Sequence, residues 1–194
     1  MSTDDSHVLA QAVHDLGAAL WFGGAVMGVA GVNKAGNDLR DPIDKVRVAE
    51  SAWQRFAPVE WAGIAAVLAA GSQLSRASTG RLATQHGWAR AGGTKAAVAV
   101  AGAAATAFAA YSGRKIGQLT EQAAKSGRPV DVQDASKPSA QTPPELASWQ
   151  QRQRVAQVLV PLASGANIVL NSYLVQTYRP GATARGLVRK VLPG

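Results

Sequence analysis

The chain of 194 residues contains no cysteine, which excludes disulfides, thiolate metal sites and cysteine nucleophiles. No phosphate-binding glycine loop, H-E-x-x-H, G-x-S-x-G or carboxylate pair at metal spacing occurs, so an enzyme is not expected. The first residues carry Asp4 and Asp5 but no Lys or Arg. That is a poor secretory signal, and the first apolar stretch is expected to be retained as a helix. Charge is the scarcest ingredient of all in four stretches: Leu16–Val32 and Val155–Tyr178 hold none, and Phe56–Leu74 holds only Glu60.

What is present is strongly segregated. Apolar residues make up 47% of the chain against 16% charged, yet the mean hydropathy is only −0.02, because much of the apolar share is alanine. The formal charge is +8. A basic chain can signal nucleic acid, but no basic helix or aromatic stacking platform accompanies the charge here. The Lys and Arg residues instead flank apolar stretches, where lipid headgroups meet them. Membrane lipids, not nucleic acid, are the expected surroundings.

The pattern predicts an all-α, single-domain, multi-pass protein of the cell membrane with four transmembrane helices, over about 8–32, 54–75, 92–116 and 150–178. Crossing a hydrocarbon layer of ~30 Å takes ~20 residues at ~1.5 Å each. A soluble helix would need a polar face recurring every ~3.6 residues, and the uncharged stretches offer too little for that. Aromatic residues mark the ends of the segments: Trp53 and Trp61 bracket the start of the second, Trp88 and Trp149 precede the third and fourth, and Tyr111, Tyr173 and Tyr178 close them. Their amphipathic rings suit the headgroup level. Trp21, in mid-segment, is the exception.

Small residues predict close packing. Gly24 and Gly28 form a G-x-x-x-G, and the third segment is mostly alanine. In lipid, small residues let helix backbones approach, so this segment is expected to be held by neighbours inside an assembly. A short amphipathic helix is expected after Pro42, and the residues after Tyr111 can prolong the third helix. About 126–148 reads as a flexible link, because Asp131–Pro144 is rich in Pro, Ser, Gln and Asp. A basic tail follows over 179–194. With four spans, Lys and Arg number eight on the side of the termini and twelve on the other. That count leans to termini outside, the common bacterial preference leans the other way, and the orientation stays open.

Three features could carry chemistry. The first is His14-Asp15 followed by Gly17, Trp21, Gly23 and Gly24, written HDLGAALWFGG. Over these eleven residues the chain resembles the first helix of copper-resistance D-type membrane domains and their relatives. The resemblance implies haem or copper handling through histidine, with His14 and His86 as the cofactor-binding candidates on one membrane side and His7 beside them. Methionine-rich copper motifs are missing, since only Met1 and Met27 exist. The alternative reading of His14 is an interfacial residue satisfied by water, Asp15 or a headgroup.

The second feature is Glu60, which is expected either to face a polar interior or to reach water and Arg55 near the interface. The third is a stripe on the fourth helix. Gln157, Ser164, Asn167 and Asn171 lie seven, three and four residues apart, hence on one face. Such a stripe either joins helices by hydrogen bonds or lines a cavity. Pro161 and Gly165 interrupt the same helix.

The sequence therefore favours a non-enzymatic membrane protein without a cofactor, acting as an accessory or structural subunit or with copies of itself. A haem- or copper-binding domain on His14 is the alternative, and a small transporter comes third. On this reading the protein stays in the membrane pellet through carbonate and high-salt washes. Release by salt alone would mark it as a basic peripheral protein.

Overall fold

The computed structural model describes residues 3–78 and 87–176. Four long helices account for most of them: α1 (Thr3–Met27), α2 (Pro42–Ala77), α3 (Trp88–Lys125) and α4 (Pro144–Gln176). Helix α1 runs on through a π-helical turn (Gly28–Val32), a short α-helical stretch (Asn33–Ala35) and a 3-10 turn (Gly36–Asp38). A two-stranded antiparallel ribbon, β1 (Val132–Asp134) and β2 (Lys137–Pro138), lies between α3 and α4.

Contacts along the helices fix their directions. Between α1 and α2, Gly36 meets Lys45, Gly28 meets Trp53, Gly24 meets Phe56 and Gly17 meets Gly63, so the two run antiparallel. Lys95 with Asn171 and Gly102 with Ala163 make α3 and α4 antiparallel. Asp15 with Asn171 and Phe22 with Gly165 do the same for α1 and α4. The chain therefore runs up, down, up, down.

The closest approach is backbone to backbone. A Cβ at Gly17 would lie 2.6 Å from Gly63 O, and one at Gly63 would lie 2.9 Å from Gly17 O. The G-x-x-x-G of Gly24 and Gly28 works differently from the expected backbone contact: each glycine seats an aromatic ring, Phe56 and Trp53 respectively. Beside this seam, an apolar cluster of Ala18, Trp21, Ala25, Ile64, Val67, Ala99 and Val160 fills the centre. Trp21, the exception among the interfacial aromatics, is wholly buried there. Its indole N–H donates to Thr106 Oγ1 at 3.1 Å, and a Cβ at Gly102 would stand 2.7 Å from the ring.

The helices are longer than the apolar runs, because amphipathic ends add turns that hydropathy does not register. The helix expected after Pro42 is continuous with the second segment. Asp41 caps it, accepting from the Ile43 N–H at 2.7 Å, and Pro42 takes the first helical turn, where its missing N–H costs nothing. Arg47 on α2 then reaches Glu121 on α3 at 2.6 Å.

The expected flexible link, about 126–148, contains the ribbon and a set of local hydrogen bonds. Its polar side chains supply the backbone partners that regular structure lacks. Asp134 Oδ1 accepts from the Ser136 N–H at 2.8 Å, Thr142 Oγ1 donates to Asp131 O, and Ser139 N–H donates to Thr142 Oγ1 at 2.8 Å. From α4, Gln150 Nε2 reaches the Asp134 and Ala135 carbonyls, both at 3.3 Å. Val132 packs with Val46, Ile116 and Leu146 in a second apolar cluster. Helix α4 accordingly starts at Pro144, before the expected 150.

Three helical stretches, His7–Asp38, Trp88–Lys125 and Pro144–Val175, are long and apolar enough to cross a membrane. Helix α2 is not among them. Its first third is charged, and Pro58, Glu60 and Gln73 lower the hydropathy of the remainder.

The glycine seam gives a direct test. Gly17→Ala forces α1 off α2 and destabilises by about 1–3 kcal/mol, the usual range for overpacking. Gly23→Ala meets no atom within 4 Å and is neutral or gains roughly 0.5–1 kcal/mol of helix propensity. Thermal unfolding in detergent separates the two, and equal behaviour would refute the seam.

Candidate functional site

Either side of the apolar Trp21 layer, polar side chains turn inward and many large apolar ones outward. On α4, Gln150, Gln153, Gln157, Ser164, Asn167 and Asn171 are all buried, whereas Val155, Val158, Leu162, Val169 and Tyr173 are exposed. Helix α1 turns Leu16, Leu20, Val26 and Met27 outward while His14 and Asn33 are buried. Helix α3 buries Thr106, Ser112 and Thr120 and exposes Val100 and Phe108. This inversion is what hydrocarbon surroundings require, since a polar group facing lipid has no water to bond.

The Trp21 layer separates two cavities. One, of about 390 Å³, lies toward the ribbon end and is lined in part by Asn33, Trp53, Glu60, Trp61, Gln153 and Gln157. Glu60 is 6% exposed and belongs to none of the ion pairs of the described residues. The expected alternative of an interfacial pairing with Arg55 is therefore not what the structure contains. Among the described residues, Asn33 Nδ2, Gln153 Oε1 and Gln157 Nε2 are buried without hydrogen-bond partners. Pro161, also on this wall, has no N–H to give the Gln157 carbonyl one turn earlier.

The other cavity, of about 670 Å³, lies at the opposite end among α1, α2, α3 and α4. A connected polar cluster borders it. Lys95 Nζ donates to Asn171 Oδ1 at 2.6 Å, and Asn171 Nδ2 donates to Asp15 Oδ1 at 2.8 Å. Gln11 Nε2 lies 2.9 Å from both Asp15 oxygens, and His14 Nδ1 lies 3.1 Å from Asp15 Oδ1. Three helices are thus joined through one amide. Asn167, one turn deeper on α4 and 1% exposed, has neither its Nδ2 nor its Oδ1 partnered.

The stripe on α4 therefore divides by role. Asn171 joins helices, Ser164 returns its hydroxyl to Val160 O at 2.8 Å, and Asn167 and Gln157 face the two cavities. The sequence missed Gln150 and Gln153, which extend the stripe by two turns on the same i, i+3/i+4 spacing. It also missed Lys95 as an interior cation.

The haem candidates come together only in part. His14 is wholly buried with Nε2 unpartnered, and Nδ1 rests against a carboxylate, as in many ligating histidines. Yet His14 is not among the residues lining the large cavity, and His7, which does line it, sits at its outer end. His86 lies outside the described residues. The described residues also contain no group of three or more His, Asp or Glu able to hold a metal ion. Comparison with protein-family models, with curated proteins and with solved structures finds no match to this chain. The fold and its polarity define a helical, multi-pass membrane protein.

The two asparagines make opposite predictions. Asn171→Leu strands Lys95 and Asp15 and lowers stability by about 1.5–3 kcal/mol, the range for hydrogen bonds to charged groups. Asn167→Leu removes two unpartnered atoms and leaves stability unchanged or raised. Unfolding of both variants in detergent decides, and equal losses would mean that Asn167 also joins helices.

Proposed function

We propose that the chain is a non-enzymatic membrane protein with four crossing helices, acting as an accessory or structural subunit or with copies of itself. Support for the fourth crossing comes from α2. Its glycine contact with α1 lies at the middle of both helices, which sets the two in one slab. Between Pro58 and Ser72 its exposed residues are all uncharged, with Glu60 turned inward.

The observation that carries the assembly is the outer face of α3. Gly93, Ala97, Ala101 and Ala104 are exposed at helical spacing. Helices α1 and α4 present large apolar side chains outward instead. Leu, Ile, Phe and Val each favour insertion by roughly 0.3–0.6 kcal/mol, and alanine, with one methyl, offers lipid little. Val100 and Phe108 stand on the same face, so the surface is one of small residues interrupted by two knobs, and it suits a second helix that packs around them.

A transporter reading draws on the two cavities either side of Trp21, which would have to be joined by movement of that layer. The haem or copper alternative draws on the resemblance at His14 and on its unpartnered Nε2. It is the weaker reading, because the ring is closed off from the cavity.

Cross-linking tests the assembly, and the absence of native cysteine makes it clean. Cysteine placed at Ala97, Ala101 or Ala104 gives a disulfide-linked dimer, or an adduct with another membrane chain, in native membranes. Cysteine at Leu162 on α4 gives neither. If the α3 positions fail to cross-link and react with a lipid-soluble thiol reagent as readily as position 162, the α3 face meets lipid and the proposal fails.

A further inference from the structure

Two opposite charges border the larger cavity, and they do not touch. Asn171 stands between them, accepting from Lys95 at 2.6 Å and donating to Asp15 at 2.8 Å. No direct Lys95–Asp15 ion pair occurs among the described residues. An ammonium and a carboxylate in poorly solvated surroundings gain most by direct contact. Holding them one amide apart leaves donors free on Lys95, while the Asp15 oxygens, already met by Asn171, Gln11 and His14, keep their charge at the cavity wall. Lys95 retains two N–H donors, and the Asp15 side chain remains 56% exposed.

Further donors stand on the same wall. Asn167, 1% exposed, has an unpartnered amide, and Trp88, 7% exposed, has an unpartnered indole N–H. The rest of the lining is largely apolar. Leu68 and Val100 belong both to the cavity wall and to the exposed apolar surface, so the cavity is continuous with the lipid-facing side.

We infer that this cavity binds the headgroup of a zwitterionic phospholipid, its phosphate on Lys95 with the Trp88 N–H, its ammonium on Asp15, and its acyl chains leaving past Leu68 and Val100. Charge selects this class. An anionic headgroup would place its phosphate on Lys95 but bring no cation to Asp15, and a headgroup without a phosphate would leave Lys95 unmatched. A phosphate and an ammonium in one headgroup match a cation and an anion held one amide apart. Depth agrees: Lys95 lies seven residues into α3, about 10 Å from Trp88 at ~1.5 Å per residue. One interfacial zone is only ~5–7 Å deep, and the four-carbon stem of Lys95 spans the remainder to bring its ammonium to phosphate level. A small soluble zwitterion would satisfy the charges but leave the apolar wall uncovered. The inference rests on the helices lying in a membrane and not on any partner at α3.

The test uses the full chain, purified in mild detergent and stripped of lipid. Phosphatidylethanolamine, phosphatidylglycerol and soluble phosphoethanolamine are then added separately. Bound lipid is counted by native mass spectrometry, and protection is followed by thermal unfolding. Phosphatidylethanolamine is retained, and Lys95→Met or Asp15→Asn each lowers its retention about tenfold, the loss of one charge-assisted contact. Lys95→Arg keeps it. Trp88→Phe, which deletes only an N–H and preserves the ring, lowers it several-fold and serves where Lys95→Met does not fold. Equal or better retention of phosphatidylglycerol would overturn the zwitterion. Displacement of the lipid by phosphoethanolamine at similar concentration would overturn the lipid in favour of a small solute. Folded variants that hold phosphatidylethanolamine as the parent does would overturn the site itself. Failure of the membrane reading shows separately, as protein that needs no detergent to stay in solution.

Discussion

The burial of the Trp21 indole at the centre of the four helices is the contact on which the rest depends. The ring needs a notch, which Gly102 supplies on α3, and its N–H needs an acceptor, which Thr106 supplies one turn later. Ile64 and Val67 from α2 and Val160 from α4 close round it. Helices α1 and α2 can meet it together only because Gly17 and Gly63 bring their backbones into contact. A side chain at Gly102 would press on the ring, since even a Cβ there would stand 2.7 Å from it.

Around that layer the molecule inverts the usual arrangement, and the inversion explains its interior. Water stabilises a soluble fold by driving apolar side chains inward, but lipid provides no such force between helices. What orders these helices instead is close packing plus the need to keep amides, hydroxyls and charges away from hydrocarbon. The hydrogen bonds through Asn171 join three helices for that reason. The ion pair between Arg47 and Glu121 belongs to a different setting, being exposed, and adds little to stability.

Much of this was legible in the sequence, and the omissions have physical causes. The uncharged runs at Leu16–Val32 and Val155–Tyr178 identify their helices directly, and the spacing of Gln157, Ser164, Asn167 and Asn171 gives the inward face of α4. Lys95 stands in the first turn of the expected third helix, about 92–116, where a lysine ordinarily reaches headgroups, so its sequence position does not mark it as an interior cation. Nothing local distinguishes Gly17 and Gly63 from other glycines, since their meaning is a contact 46 positions apart. Gly24 and Gly28 were recognised as packing residues, but sequence spacing does not tell a backbone contact from a seat for a ring. The ribbon was hidden for a subtler reason. Asp, Ser and Thr signal loops because their side chains compete for backbone groups, and here those same side chains, with Gln150, hold the loop in one shape.

Helix length has a consequence for how the molecule sits. Helix α3 has 38 residues, so it measures about 57 Å at ~1.5 Å per residue, well beyond a ~30 Å hydrocarbon layer. Much of the surplus lies at the C-terminal end of α3, where α2 and α3 are joined by Arg47 and Glu121, the ribbon packs on Val46 and Ile116, and Trp149 meets Tyr111 edge to face beside Arg152. Among the described residues, that end is a folded, charge-bearing platform, and a soluble molecule arriving there would meet protein before it met lipid.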